Sequence, residues 1–165
     1  MKVINIIGDN YTGHTDRQRI ACRAIIIEDG KMLLSYEQKS NIYMIPGGGL
    51  EPKEKDEDCV VREVLEETGL IIEPSKCVLE INEFYSNAKF INRYFLGKIK
   101  GEAERHLTER EKEVEMVPVW LEINDVVEIF SKYNDYKDSN EMQAGLYKRE
   151  ITAIKELLNL DLLIK

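Results

Sequence analysis

Cysteine is scarce: the 165 residues contain three, Cys22, Cys59 and Cys77. An odd, widely scattered set cannot all pair and has no metal-ligand spacing, so neither a disulfide scaffold nor a thiolate zinc site is expected. Reduced thiols in a cytoplasmic protein are the expectation. Basic charge is in deficit as well. Against 31 Asp and Glu stand 23 Lys and Arg, a net charge of −8, which argues against a general nucleic-acid binder or a membrane-surface binder. A small anionic ligand stays compatible with that balance if metal cations stand between it and the protein. No apolar run is long enough to span a bilayer. The opening MKVINIIGDN lacks the apolar core and small-residue cleavage site of a signal peptide and reads as a first strand. No internal repeat, low-complexity tract or Gly/Ser linker divides the chain. One domain over residues 1–165 is therefore expected, large enough to bury a core.

Strands and helices are both written into the pattern. Apolar β-type runs at 19–28 and 31–38 are joined by Asp29-Gly30, a strong hairpin signal. A short strand over 41–48 stops at Pro46 and a run of glycines. A helix follows over about 56–68, with Asp56 at its N-cap and Gly69 placed for a left-handed C-cap. Segments 70–86 and 89–101 read as two long β runs with a turn at Asn87-Ala88. The charged stretch 104–115 reads as loop, and 115–123 as a strand that Pro118 confines to an edge or a bulge. Trp120 is expected in the core. Helices are expected over 124–134, starting at Asn124 or Asp125, and over 143–160. The sum is an α/β sandwich with a mixed β-sheet and helices on both faces.

The helix at 56–68 is crowded with acid. At 100° per residue, Glu66 lies about 60° to one side of Glu63 and Glu67 about 40° to the other, so the three share one narrow arc. Val60, Val61, Val64 and Leu65 make the neighbouring apolar face, and Arg62 borders the carboxylates. Like charges four residues apart disfavour a helix by a few tenths of a kcal/mol. Glu66 and Glu67 also occupy the last turn, where the helix dipole disfavours anions by roughly 0.3–1 kcal/mol each. A solvated acidic face is the ordinary reading of such a run, but it explains neither the placement nor the glycines just upstream. A divalent cation explains both. Carboxylate oxygens suit Mg²⁺ or Mn²⁺, and Gly47, Gly48 and Gly49 let backbone carbonyls approach the same ion.

Taken whole, the spacing is Gly48, five residues, Glu54, seven residues, then Arg62-Glu63-Val64, one residue, Glu66-Glu67, one residue, Gly69-Leu70. It resembles the Nudix box at every specified position. A chance match in a chain of this size has a probability on the order of 10⁻⁷ at average residue usage. The flanking pattern extends the resemblance over about residues 20–160. Lys53 before Glu54, and Cys59-Val60 at positions where relatives often carry small alanines, are departures that touch packing more than chemistry.

The resemblance implies a Nudix-type α/β/α sandwich and a hydrolase acting on a pyrophosphate bond in a nucleoside diphosphate linked to another moiety. It implies that Glu63, Glu66 and Glu67 hold one to three Mg²⁺, with Mn²⁺ as a substitute and the main-chain carbonyl of Gly47 as a further ligand. Arg62 would orient a box glutamate. Glu54 would be an outer or water-mediated ligand, or simply an acid at the helix N-terminus. For the general base the resemblance offers Glu63, or an acid of the later charged segment, where Glu109, Glu111 and Glu113 stand. Of these Glu113 is nearest the following strand and is the catalytic candidate, its alternative being a solvated acid. Arg23, a charge inside an apolar strand, either contacts phosphate or marks an outward-facing strand end. Tyr43 and Tyr85 either stack on a base or pack in the core or at the rim. The expected partner is a small-molecule nucleotide. Membrane and general nucleic-acid partners are not expected. Dimers are common among relatives, which leaves a homodimer open, and a catalytically silent nucleotide-binding module is the alternative function.

Overall fold

The computed structural model describes residues 1–163. Two sheets share the strands. The larger is mixed and contains β1 (Lys2–Ile7), β8 (Leu79–Tyr85), β9 (Ala88–Glu102), β2 (Arg17–Ile25) and β6 (Gly47–Gly49), in that spatial order. Strands β1 and β8 run parallel, as do β9 and β2, while β8–β9 and β2–β6 are antiparallel. Strand β7 (Leu70–Pro74) joins the far part of β9. The smaller sheet is antiparallel: β10 (Met116–Glu122), β4 (Lys31–Glu37) and β3 (Ile27–Glu28), with β5 (Ile42–Met44) also on β4. Helix α1 (Asp56–Thr68) covers one face of the mixed sheet, packing Cys59, Val60 and Val64 on Cys22, Ala24 and Phe95. Helices α3 (Ile123–Ser131) and α4 (Glu141–Asn159) close the other core around Tyr94, Phe130, Tyr147 and Ile154. The α/β sandwich with a mixed sheet is the observed architecture.

Local chemistry explains where the elements begin and end. Asp29 and Gly30 both take positive φ, 50° and 78°, the turn that right-twisted hairpin strands favour. The run at 19–28 is divided at Ile26, because it leaves the mixed sheet there and enters the smaller one. Helix α1 ends on Gly69 at φ 78°, whose N–H bonds the Leu65 carbonyl, as a left-handed cap should. Its N-cap is Lys55 rather than Asp56. Both oxygens of Asp56 are taken by Arg93 Nη1, at 2.9 and 2.7 Å, so that carboxylate cannot turn back onto the helix.

Other expectations need correcting. The run at 70–86 is two strands, parted where Ser75 exchanges hydrogen bonds with Leu96. The turn lies at Ser86-Asn87, one residue earlier than expected, with Ser86 at φ 52°. The charged loop contains a short helix, α2 (Glu109–Glu113), started by a reciprocal capping box between Thr108 and Glu111. Trp120 is 37% exposed, because β10 is an edge strand that pairs only with β4. Helix α4 begins at Glu141, two residues early, where Asn140 Oδ1 accepts from the Gln143 N–H at 3.1 Å. Among the described residues no helix is long and apolar enough to cross a membrane.

Candidate active site

Helix α1 sets the three glutamates at different depths. Its buried residues are Cys59, Val60, Val64, Glu67 and Thr68, while Val61 and Leu65 are only half-buried. Glu67 thus lies on the packed side of the helix, 4% exposed, with Glu63 and Glu66 nearer the surface. Ser35 of β4 donates from Oγ to Glu67 Oε2 at 2.6 Å, and the Gly47 N–H reaches the same oxygen at 3.3 Å. Burial pushes the Glu67 carboxyl up to about 8, opposed by the Ser35 bond and reinforced by the charge of Glu63. Glu63 is raised too, chiefly by burial, with the Arg62 bond pulling the other way.

Arg62 gathers the remaining carboxylates. Its Nε and Nη2 grip the two oxygens of Glu54 at 2.8 and 2.9 Å. Its Nη1 bonds Glu63 at 2.8 Å and Glu66 at 3.2 Å, and Nη2 also reaches the Gly49 carbonyl at 3.1 Å. The guanidinium bond holds Glu54 down at about 2. Each carboxylate therefore has a fixed donor, and a two-pronged guanidinium suits such a task better than an ammonium could.

The glycines of β6 are spatial requirements. A Cβ on Gly47, at φ 143°, would strike the Cys22 carbonyl oxygen, and one on Gly48 would strike the Glu63 carboxylate. Strand β2 alternates beneath them. Cys22 and Ala24 face α1, whereas Arg23, paired in register with Gly47, faces the other way. Its Nε donates to Asn92 Oδ1 at 3.1 Å, and Nη1 to the carbonyls of Ile45 and Gly47 at 3.1 and 3.5 Å. The three glutamates, Arg62, Arg23 and the β6 glycines border one open cleft of about 520 Å³, and Arg19, His106, Arg110 and Glu111 line it as well.

A family model, the NUDIX domain, matches residues 17–142. The chain belongs to the Nudix family. Solved structures share its fold. A Nudix hydrolase from Nitrosomonas europaea superposes with a TM-score of 0.58 at 24% identity, over 67% of this chain and 76% of that one. A MutT Nudix hydrolase from Burkholderia pseudomallei gives 0.54 at 20% identity, over 66% and 86%. The ORF135 protein of E. coli gives 0.53 at 22% identity, over 68% and 79%.

The Nudix helix, α1, thus brings Glu63, Glu66, Glu67 and Arg62 to the cleft, with Gly47 opposite and Arg23 beside it. Glu54 stands behind them, bonded to Arg62 and to the Glu51 N–H. Three of the expected residues lie elsewhere. Tyr85 packs its ring against Gly8 and lines a separate cleft with Tyr133 and Lys137. Glu113 is exposed on the last turn of α2, while Glu111, two residues earlier, lines the cleft. Tyr43 is paired in register with Tyr36 and stacks on it, ring centres 4.3 Å apart, and its N–H bonds the Tyr147 hydroxyl at 3.1 Å. Packing on the smaller sheet occupies that ring. Sequence reading passed over Ser35, whose signal was a hydroxyl inside the apolar run of β4, and Arg19, the first residue of the run at 19–28.

Nudix proteins generally use divalent metals, and the residues present fit one. The donors are oxygen only, as Mg²⁺ and Mn²⁺ require. The Glu63 carboxylate occupies the space that any side chain on residue 48 would fill. Among the described residues no three acidic, His or Cys side chains already converge at coordination geometry; Arg62 and Ser35 hold the carboxylates at adjacent stations.

Proposed function

We propose that this Nudix protein is a divalent-cation-dependent hydrolase that cleaves a pyrophosphate bond in a nucleoside diphosphate linked to another moiety. The observation that carries the reading is the meeting of Glu63, Glu66 and Glu67 with Arg23 in one cleft: acids able to hold cations, beside a guanidinium able to hold phosphate. Glu63, Glu66, Glu67 and the Gly47 carbonyl are the residues that would hold Mg²⁺ or Mn²⁺. A cation there supplies neutralisation of the pyrophosphate and acidification of the attacking water.

The chain's own groups account for the rest. Arg62 keeps Glu63 and Glu66 aimed into the cleft, so little reorganisation is needed when substrate arrives. Ser35 and the Gly47 N–H hold Glu67 in place. Glu63 serves either as a ligand or as the general base that takes the proton of the attacking water. Glu111 borders the same space and is the other candidate for the general base. Arg23 and Arg19 draw the phosphates inward against the net negative charge of the chain. Free thiols at Cys22, Cys59 and Cys77 are in keeping with a cytoplasmic setting.

The test is a hydrolysis panel of nucleoside triphosphates, nucleotide sugars, dinucleoside polyphosphates, ADP-ribose and capped RNA with Mg²⁺, with product identification. Turnover of at least one member, abolished by EDTA, is expected. No release above the protein-free control across the panel overturns the reading.

A further inference from the structure

Behind Arg23 runs a chain of buried polar groups that the reaction itself does not use. Asn92 of β9 is 2% exposed, and it bonds on both sides: Oδ1 accepts from Arg23 Nε at 3.1 Å, and Nδ2 donates to Glu83 Oε2 at 3.0 Å. Glu83 Oε2 also takes Arg149 Nη1 at 3.3 Å. Arg149 Nη2 then bonds Glu150 Oε1 at 2.6 Å, and Glu150 Oε2 accepts from the Tyr94 hydroxyl at 3.0 Å. Glu83, Tyr94, Arg149 and Glu150 are all buried, and Arg149 Nε has no partner among the described residues.

Such a network is an expensive way to fill a core, since apolar residues of similar volume are often neutral or better there. Its geometry has one consequence at the surface. A carboxylate on one side of Asn92 demands a donor, and a guanidinium on the other demands an acceptor. The amide therefore has a single orientation, and it fixes the edge of Arg23 that carries Nε. Nη1 is fixed by the carbonyls of Ile45 and Gly47. Among the described residues Nη2 makes no hydrogen bond, and Arg23 borders the cleft.

We infer that Asn92 is a positioning residue for the substrate's phosphates: oriented by Glu83 and Arg149, it locks Arg23 so that Nη2 is presented to a phosphate oxygen. This rests on the reading of the cleft as a diphosphate site. Because Nη2 meets a non-reacting phosphate oxygen in ground and transition state alike, loss of the lock raises KM and leaves kcat nearly unchanged.

The experiment measures binding of Mg²⁺ with α,β-methylene-ADP by calorimetry, and KM and kcat on a panel substrate, for wild type, Asn92→Leu, Arg23→Gln, the double variant and Glu83→Gln. Expected are about a tenfold rise in KM and in Kd of the analogue for Asn92→Leu, and kcat within about twofold. Mg²⁺ affinity without nucleotide should be unchanged. The double variant should be no worse than Arg23→Gln, as expected of groups acting as one unit. Glu83→Gln, which keeps an oxygen for Asn92 Nδ2, should leave KM within about threefold of wild type. If Asn92→Leu does not fold, Asn92→Ser, too short to span both partners, replaces it. A variant that loses thermal stability while KM and Kd stay at wild-type values, or a double variant whose losses add, overturns the inference while the hydrolase reading stands. A wild-type protein that neither hydrolyses the panel nor binds the analogue overturns both.

Discussion

Ser35 on strand β4 and Glu67 on helix α1 are joined by a 2.6 Å hydrogen bond across the base of the cleft. It ties the smaller sheet to the Nudix helix at the most deeply buried of the three glutamates. A hydrogen bond to a charged group is worth about 1.5–3 kcal/mol, and here it favours the ionised form that a cation needs. Ser35→Ala should weaken Mg²⁺ binding at pH 7 by about tenfold or more. Calorimetric titration checks it; unchanged affinity would show that the serine only fills space.

Glu67 also makes the stability of the metal-free protein depend on pH. Its carboxyl is pushed up to about 8 by burial, against about 4.3 in an unfolded chain. The folded form thus holds the proton more tightly. The stabilisation from this group is complete below about pH 4.3, declines as the pH rises, and is gone above about pH 8. In EDTA, the Tm should fall across that window, and Glu67→Gln should flatten the fall. Parallel profiles for the two proteins would refute the assignment.

The same substitution separates folding from chemistry. Glu67→Gln keeps the shape of the side chain and removes its negative charge. Turnover should drop by roughly 10³-fold while the far-ultraviolet circular dichroism stays that of the wild type. Wild-type kcat in the variant is the contrary result.

Arg62 holds Glu54, Glu63, Glu66 and the Gly49 carbonyl together. Arg62→Ala should cost about 1–3 kcal/mol of stability, less than a fully buried network would because the side chain is 26% exposed. Arg62→Lys should recover under half of that, since an ammonium cannot reproduce the paired grip on Glu54. Urea denaturation at neutral pH measures both; a Lys variant equal to wild type would show that charge alone suffices.

Two neighbouring glycines should fail differently. Alanine at Gly47 meets main chain at a positive φ, so Gly47→Ala should destabilise the fold by about 2–4 kcal/mol. The atoms nearest an alanine at Gly48 are those of the Glu63 carboxylate, the far end of a flexible side chain. Gly48→Ala should therefore keep its Tm within a few degrees and lose Mg²⁺ affinity. Equal losses of stability in both would contradict the separation.

Much of the cleft was legible in the chain because its parts are local. A helix of known pitch places Glu63, Glu66 and Glu67 on one arc, and the glycine run and Gly69 frame it, so no long-range contact is needed to see them. Arg62 was legible for the same reason. The depth of Glu67 was not, because it depends on β4 arriving with Ser35 from 32 residues away in sequence. Nor was the placing of Glu111, and not Glu113, in the cleft wall, which turns on a capping box that folds the charged segment into α2. Tyr43 looked free until its register partner, Tyr36, covered it.

Amino-acid order alone determined the acid-bearing helix, its glycine stop and the Asp29-Gly30 hairpin, since each is specified by backbone preferences within a few residues. Tertiary structure decided which carboxylate is buried, which arginines line the cleft and what stands behind Arg23. Those outcomes arise where strands distant in sequence set their register and a polar group must find its partner or lose its hydration.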